Sequence, residues 1–193
     1  MQDLMRGFFG GIAACAIIFL FIASFFPQEF SFSGQGVSFF ENEGCAQVEP
    51  VFSPGSSGEI IGMIRSAQES IDVQMYVFTN EEIARELVTA AGRGVRVRVI
   101  LEGRVNSYNL DEISGALVEG GVLVRWASAG FKLTHSKMML LDGKRALVGS
   151  INFSKSAVDS NREAGAVIEG EAVREYAQMF ENDWQLATLL RET

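Results

Sequence analysis

The sequence has few of the residues that build covalently cross-linked or metal-centred proteins. Its 193 residues include two cysteines and one histidine, which excludes a disulfide scaffold and a histidine-rich metal site. Only three residues are proline and 48% are hydrophobic, so the chain is neither collagen-like nor disordered. The formal net charge is −8, and this lack of overall positive charge argues against a nucleic-acid binder when the chain is taken as a whole.

The charge is distributed unevenly along the chain. Residues 91–162 contain eleven basic and six acidic side chains, a net charge of +5, and the remainder of the chain carries −13. Such a local basic field can attract a phosphate-bearing substrate whatever the total charge. The alternative is a mixed, solvated surface without function.

The N-terminal region carries a long uncharged stretch. Residues 8–26 are nineteen residues without a charge, which as a helix would span about 28 Å, enough for a bilayer core. The run is longer than the apolar part of a cleaved signal peptide and ends in bulky residues, so an uncleaved membrane anchor over residues 1–27 is favoured. Arg6 precedes the span and the next basic residue is Arg65. The positive-inside rule then predicts a cytoplasmic N-terminus and an extracytoplasmic main domain.

After the anchor we expect a linker and one folded domain. Residues 28–47 form the linker, whose Cys45 could cross-link two copies in an oxidising compartment. Residues 48–193 predict an α/β domain with a mixed, largely parallel sheet flanked by helices, because strands and helices alternate. The predicted strands are 48–52, 71–78, 95–101, 122–126, 136–141, 145–148 and 164–169. The predicted helices follow residue 58 and cover 80–91, which Asn80 caps, 109–117 and 171–190.

A cluster of polar residues follows Thr134. On a strand, His135 and Lys137 point to the same face, so an imidazole and an ammonium project side by side. A turn at Asp142-Gly143 predicts a hairpin, which returns Ser150 and Asn152 to the same end. This set of side chains suits the cleavage of a phosphodiester, because the imidazole can attack phosphorus while the cation and the amide stabilise the developing negative charge. We expect no metal and no cofactor.

The spacing resembles a known motif. His135-x-Lys137-x4-Asp142 followed by Gly149-Ser150-x-Asn152 is similar to the HKD motif of the phospholipase D superfamily, and the resemblance extends over residues 48–190. It implies six catalytic residues: His135, Lys137, Asp142, Ser150, Asn152 and Glu163. Lys137 and Asn152 would bind substrate oxygens, Glu163 would orient the histidine, and Asp142 and Ser150 would support the strand pair. Phe153 departs from the tryptophan common after that asparagine.

The chain carries one copy of the motif and one histidine. A phosphohistidine route needs a second group to protonate the leaving alcohol, so we expect a homodimer with a shared site, as in the single-motif branch that the chain resembles. A metal-independent endonuclease acting on nucleic acid is the first expectation, because residues 91–162 carry a net positive charge. A phospholipase D acting on lipids such as cardiolipin is the alternative, given the anchor and the phenylalanine-rich segment after it. A membrane-tethered binding module without activity is a third possibility.

Overall fold

The computed structural model describes residues 46–105 and 109–189. The predicted membrane anchor, Cys45 and nearly all of the predicted linker lie outside the described residues. Within the described part, no helix has both the length and the apolar character needed to cross a bilayer.

The described chain forms eight strands and five helices. The strands are β1 (Gln47–Ser53), β2 (Ser70–Met75), β3 (Arg96–Leu101), β4 (Leu123–Trp126), β5 (Lys137–Leu141), β6 (Arg145–Gly149), β7 (Glu163–Glu169) and β8 (Thr188–Leu189). The helices are α1 (Ser57–Ser66), α2 (Glu81–Gly92), α3 (Leu110–Glu119), α4 (Lys155–Asp159) and α5 (Ala172–Leu186).

All eight strands join one mixed sheet in the order β1-β7-β6-β5-β2-β3-β4-β8. The pairs β2–β3 and β3–β4 are parallel, whereas the other five neighbouring pairs are antiparallel. The prediction of a largely parallel sheet is therefore wrong. Parallel pairing is confined to β2, β3 and β4. The later chain returns through the β5–β6 hairpin, and β5 pairs antiparallel to β2.

Helices cover both faces of the sheet. The larger core joins one face to α1, α2, α3 and α4, through side chains such as Ile60, Leu87 and Ile113. The second core joins the other face to α5 through Phe180 and Trp184. A sheet buried on both faces explains why its central strands are almost continuously apolar.

Two local predictions are confirmed by the backbone. The side chain of Asn80 accepts hydrogen bonds from the amides of Glu82 and Ile83, and so caps α2. Asp142 and Gly143 both adopt positive φ angles, 54° and 65°, in the turn between β5 and β6. Aspartate and glycine tolerate this conformation better than other residues, which is why the pair marks a hairpin.

Two boundaries and one short helix differ from the prediction. The last helix ends at Leu186 rather than at residue 190, because the chain turns extended at Ala187 and then pairs with the open edge of β4. Strand β2 ends at Met75, three residues early, and Phe78 instead bridges to Phe153. The short helix α4 was not predicted, since five residues are too few for a periodic apolar pattern.

Candidate active site

Most of the predicted site residues meet at one edge of the sheet, where β2 ends, β5 begins and β6 ends. Met75, the last residue of β2, pairs with Lys137, the first residue of β5. One residue further, the Tyr76 amide donates a 3.1 Å hydrogen bond to the Ser136 carbonyl. These backbone contacts fix the segment that carries the histidine.

The side chains of His135 and Lys137 are in contact. The Lys137 Nζ lies 3.1 Å from Nδ1 and 3.2 Å from Nε2 of His135, and donates a 2.6 Å hydrogen bond to the His135 carbonyl. His135 is exposed, whereas Lys137 is only 9% exposed. An accessible imidazole therefore stands beside a largely buried cation, as the two-residue spacing predicts.

Two opposing influences act on the ammonium of Lys137. Burial lowers the pKa of Lys137, and the negative charge of Glu163 partly opposes this effect, so that the pKa lies below the ordinary lysine value. The ammonium lies at the rim of the sheet beside His135, where it can donate to an oxygen bound there.

Asn152 is held in a defined orientation. Its side-chain Oδ1 accepts a 3.2 Å hydrogen bond from the Val77 amide, in the segment that follows β2. Because the oxygen is engaged by the backbone, the NH₂ group is the part of Asn152 that can donate to a substrate oxygen. The arrangement brings an imidazole, a cation and an amide donor to one edge of the sheet, where the cation and the amide can stabilise negative charge on the oxygens of a phosphate group.

Ser150 and Glu163 form a second pair at this edge. The Ser150 hydroxyl donates to a Glu163 carboxylate oxygen at 2.5 Å and accepts a 3.2 Å hydrogen bond from the Ala164 amide. The other Glu163 oxygen accepts from the Asn161 side chain at 3.3 Å. Among the described residues Glu163 thus pairs with Ser150 and Asn161, and the predicted bond to His135 is not formed within one chain. Its orienting role stays a prediction.

Comparison with known proteins identifies the family. The family model described as "Cardiolipin synthase, PLD-like domain" matches residues 60–184, well over half of the chain. The chain belongs to the phospholipase D superfamily. The motif resemblance is thereby confirmed.

Relatives of this phospholipase D-like chain have several named activities. A mitochondrial cardiolipin hydrolase of Danio rerio is 31% identical over 73% of this chain, and a phospholipase D of Rickettsia prowazekii is 27% identical over 81%. The match spans 62% of the first relative and 76% of the second, so the chain covers less than two thirds of that cardiolipin hydrolase. The solved structure of Nuc, a phospholipase D family member from Salmonella typhimurium, matches with a TM-score of 0.69 at 27% identity, covering 77% of this chain and all of that one.

Asp142, the last residue of the His-x-Lys-x4-Asp pattern, lies apart from the other five predicted site residues. It follows the far end of β5, five residues from Lys137, which in a strand is about 16 Å. Its carboxylate accepts hydrogen bonds from the backbone amides of Gln68, Glu69 and Ser70 at 2.7–3.2 Å. Asp142 therefore ties the hairpin to the connection between α1 and β2 and does not reach the reacting atoms.

This placement predicts that Asp142→Asn lowers stability without lowering turnover per folded molecule. Burial acts to raise the pKa of Asp142, but the three amide hydrogen bonds outweigh it and hold the pKa below its ordinary value. The substitution should lower the free energy of unfolding at neutral pH by about 1–2 kcal/mol, measured by urea denaturation.

Because the folded-state pKa of Asp142 is depressed, this contribution to stability is fully present above about pH 4 and is lost as the pH falls through the folded-state pKa. Asp159→Asn, an exposed carboxylate, is the control; a loss of kcat in Asp142→Asn would contradict the assignment.

Sequence reasoning missed a buried carboxylate next to the site. Glu102 is 1% exposed, follows the end of β3 and pairs with Arg104 at 2.6 Å. It also accepts a 2.7 Å hydrogen bond from the amide of Thr134, the residue before His135. Burial acts to raise the pKa of Glu102, but the bonds from Arg104 and Thr134 outweigh it, so the pKa lies below its ordinary value. A charged residue directly after an apolar strand run was the signal that could have found it.

Tyr76 is the second residue that the sequence analysis missed. Its ring centroid lies 4.3 Å from that of His135, with the rings tilted by 55°. The Lys137 Nζ lies 4.7 Å from the same centroid, within the range of a cation–π contact. Tyr76 therefore supports both members of the pair from the end of β2. Tyr76 lies within the predicted strand 71–78, and the alternation of residue types in that segment gives no sign that Tyr76 differs from the core residues beside it.

The two glycines at positions 149 and 165 permit β6 and β7 to approach closely beside the site. A Cβ atom placed on Gly149 would lie 2.4 Å from the Gly165 Cα and 2.5 Å from the Ala164 carbonyl oxygen, which is closer than atoms can pack. The glycine of the Gly-Ser-x-Asn segment is thus required by the strand contact that presents Ser150 to Glu163.

Proposed function

We propose that the chain hydrolyses phosphodiester bonds through a phosphohistidine formed on His135, in a homodimer whose two copies of His135 share one active site. The observation that carries the proposal is the exposed imidazole with the Lys137 ammonium 3.1–3.2 Å from its two ring nitrogens. An accessible nucleophile beside a fixed cation is what attack on an anionic phosphodiester requires.

In the first step, a neutral His135 nitrogen attacks phosphorus. A P–N bond forms and the P–O bond to the leaving alcohol breaks, while His135 of the partner subunit gives its proton to that oxygen. Lys137 and the NH₂ group of Asn152 hold the non-bridging oxygens as negative charge accumulates. In the second step, water loses a proton to His135 of the partner subunit and attacks phosphorus, which breaks the P–N bond and frees His135.

The homodimer follows from the number of histidines. The mechanism uses one histidine as nucleophile and another as acid and base, and each chain has one. A two-fold axis beside His135 would supply the second from an equivalent surface. The accessibility of His135 supports this arrangement, since a histidine enclosed by its own chain could not meet its copy.

The positions of the charges support a phospholipid substrate over a polynucleotide. Arg98 and Arg104 are each paired with carboxylates within the chain. Lys144 and Arg145 lie at the β5–β6 turn, at the opposite end of β5 from His135. A polynucleotide groove needs several free cations along one track, and these four cations of residues 91–162 do not supply one beside His135. This reverses the order expected from sequence and agrees with the named relatives that act on lipids.

An endonuclease is the second candidate. It is supported by the similarity to Nuc, whose whole chain is matched by this one at 27% identity. Tethering through residues 8–26 would suit either substrate, and the predicted extracytoplasmic location stays a prediction.

A substrate panel tests the proposal. The full chain in non-ionic detergent is incubated in excess EDTA with bis(p-nitrophenyl) phosphate, cardiolipin micelles, supercoiled plasmid, single-stranded DNA and RNA. We expect hydrolysis of the chromogenic diester and of cardiolipin. Cleavage of nucleic acid without cleavage of lipid would replace the first candidate by the second. If none of the five substrates is hydrolysed, the proposed function is overturned.

A further inference from the structure

The segment between β4 and β5 exposes two large apolar side chains directly before His135. Phe131 is 47% exposed and Leu133 is 41% exposed, and Lys132 between them is also exposed. Most other large apolar residues of the described chain lie in the two cores. Two such residues four and two positions before the nucleophile form an apolar surface at the rim of the active site, which we call the rim loop (residues 131–133).

The backbone of the rim loop is fixed without burial of its side chains. Arg104 donates to the carbonyl of Phe131 at 2.7 Å and to that of Ser128 at 3.3 Å. The buried carboxylate of Glu102 accepts hydrogen bonds from Arg104 and, at 2.7 Å, from the amide of Thr134. An ion pair at the end of β3 therefore positions the loop, and its apolar side chains are left free for contact with something outside the chain.

We propose that the rim loop enters the headgroup region of a phospholipid membrane and brings a lipid phosphodiester to His135; this rests on the proposed function. Phenylalanine and leucine are favourable at the boundary between headgroups and acyl chains. Lys132 between them would meet the lipid phosphates. Because the loop ends two residues before His135, insertion places the imidazole at the depth of the phosphodiester.

The composition of the loop favours a membrane over other partners. A surface that stacks nucleic-acid bases uses aromatic rings and several cations, whereas Leu133 has no ring and Lys132 is the one cation of the loop. A membrane accepts both apolar side chains together with a single cation. The nineteen uncharged residues at 8–26, the predicted membrane anchor, would hold the same chain at a bilayer.

The test compares two double variants of the full chain. Phe131→Ser with Leu133→Ser removes the apolar surface of the rim loop. Leu123→Ser with Leu189→Ser is the matched control, because these leucines are 54% and 69% exposed at the β4–β8 edge, away from the site. Hydrolysis is measured on cardiolipin in vesicles and on bis(p-nitrophenyl) phosphate in solution. We expect the ratio of vesicle rate to soluble rate to fall about tenfold or more in the rim-loop variant and to stay at the wild-type value in the control.

The outcomes separate the loop proposal from the proposed function. A wild-type chain that hydrolyses neither substrate would overturn the proposed function. A wild-type chain active on both, with an unchanged ratio in the rim-loop variant, would overturn the loop proposal alone. Equal losses on both substrates would assign the loop to folding or to contact between two copies, and would also overturn the loop proposal. Lys132→Ala should lower the rate on anionic vesicles at low salt and not at high salt.

Discussion

Replacing His135 with asparagine is expected to lower kcat/KM for phosphodiester hydrolysis by about 10⁴-fold or more while leaving the fold intact. The imidazole is the group that forms the P–N bond in the proposed attack, and asparagine cannot replace it as a nucleophile. It is exposed and makes no core contact, so its loss should not change the thermal unfolding midpoint by more than a few degrees. Substantial hydrolysis by the variant would remove His135 from the reaction.

The same variant distinguishes a shared site from two independent sites. When wild-type and His135→Asn chains are co-expressed in equal amounts, about one quarter of random dimers contain two intact copies. If both histidines act on one phosphodiester, activity per total protein should be about a quarter of the wild-type value. Independent sites would give about a half. Rapid quenching in alkali, which preserves a phosphohistidine, should trap the covalent intermediate on the wild-type chain and not on the variant.

Lys137→Met is expected to lower kcat/KM by about 10³-fold without lowering stability. Methionine has a similar length and fills the same largely buried space, but it cannot hold the charge that develops on the non-bridging oxygens. Removing a desolvated cation also relieves the cost of burying it, so the free energy of unfolding should be equal or higher. Activity and urea denaturation are measured on the same preparation. A variant with less than a tenfold loss of activity would contradict the assigned role.

The depressed pKa of Lys137 predicts where activity fails at high pH. Because burial lowers this pKa, the ammonium loses its proton at a lower pH than an ordinary lysine, and kcat/KM should fall on the alkaline side below about pH 10.4. Lys137→Arg supplies the control, since a guanidinium stays protonated throughout this range. That variant should be less active at neutral pH but should lack the alkaline decline. An identical decline in both proteins would assign the titration to another group.

The sequence was sufficient to predict which polar side chains lie next to one another at the candidate site. Period-two spacing placed His135 beside Lys137, and the Asp142-Gly143 pair marked the hairpin that returns Ser150 and Asn152 to the same end. These features depend on contacts between neighbours in sequence, where strand geometry leaves little choice. The family followed from the same spacing and is confirmed by the match over residues 60–184.

Features that depend on distant contacts needed the tertiary structure. The antiparallel pairing of β5 with β2, the extended end after α5 and the placement of Glu102 beneath Thr134 each join residues more than 25 positions apart. The local pattern is the same whether a strand pairs parallel or antiparallel. Glu102 looks like an ordinary charged residue until the fold encloses it.

The distribution of charge shows most clearly which features follow from the sequence and which require the tertiary structure. The sequence by itself determined the polar cluster around His135, the net positive charge of residues 91–162 and the apolar N-terminal run. Only the tertiary structure decided that Arg98 and Arg104 are paired internally, that Lys144 and Arg145 lie at the far end of the hairpin, and that Phe131 and Leu133 stand exposed beside His135. The physical reason is that a net charge over a window counts residues along the chain, whereas a substrate meets only the side chains that folding leaves unpaired and accessible on one surface.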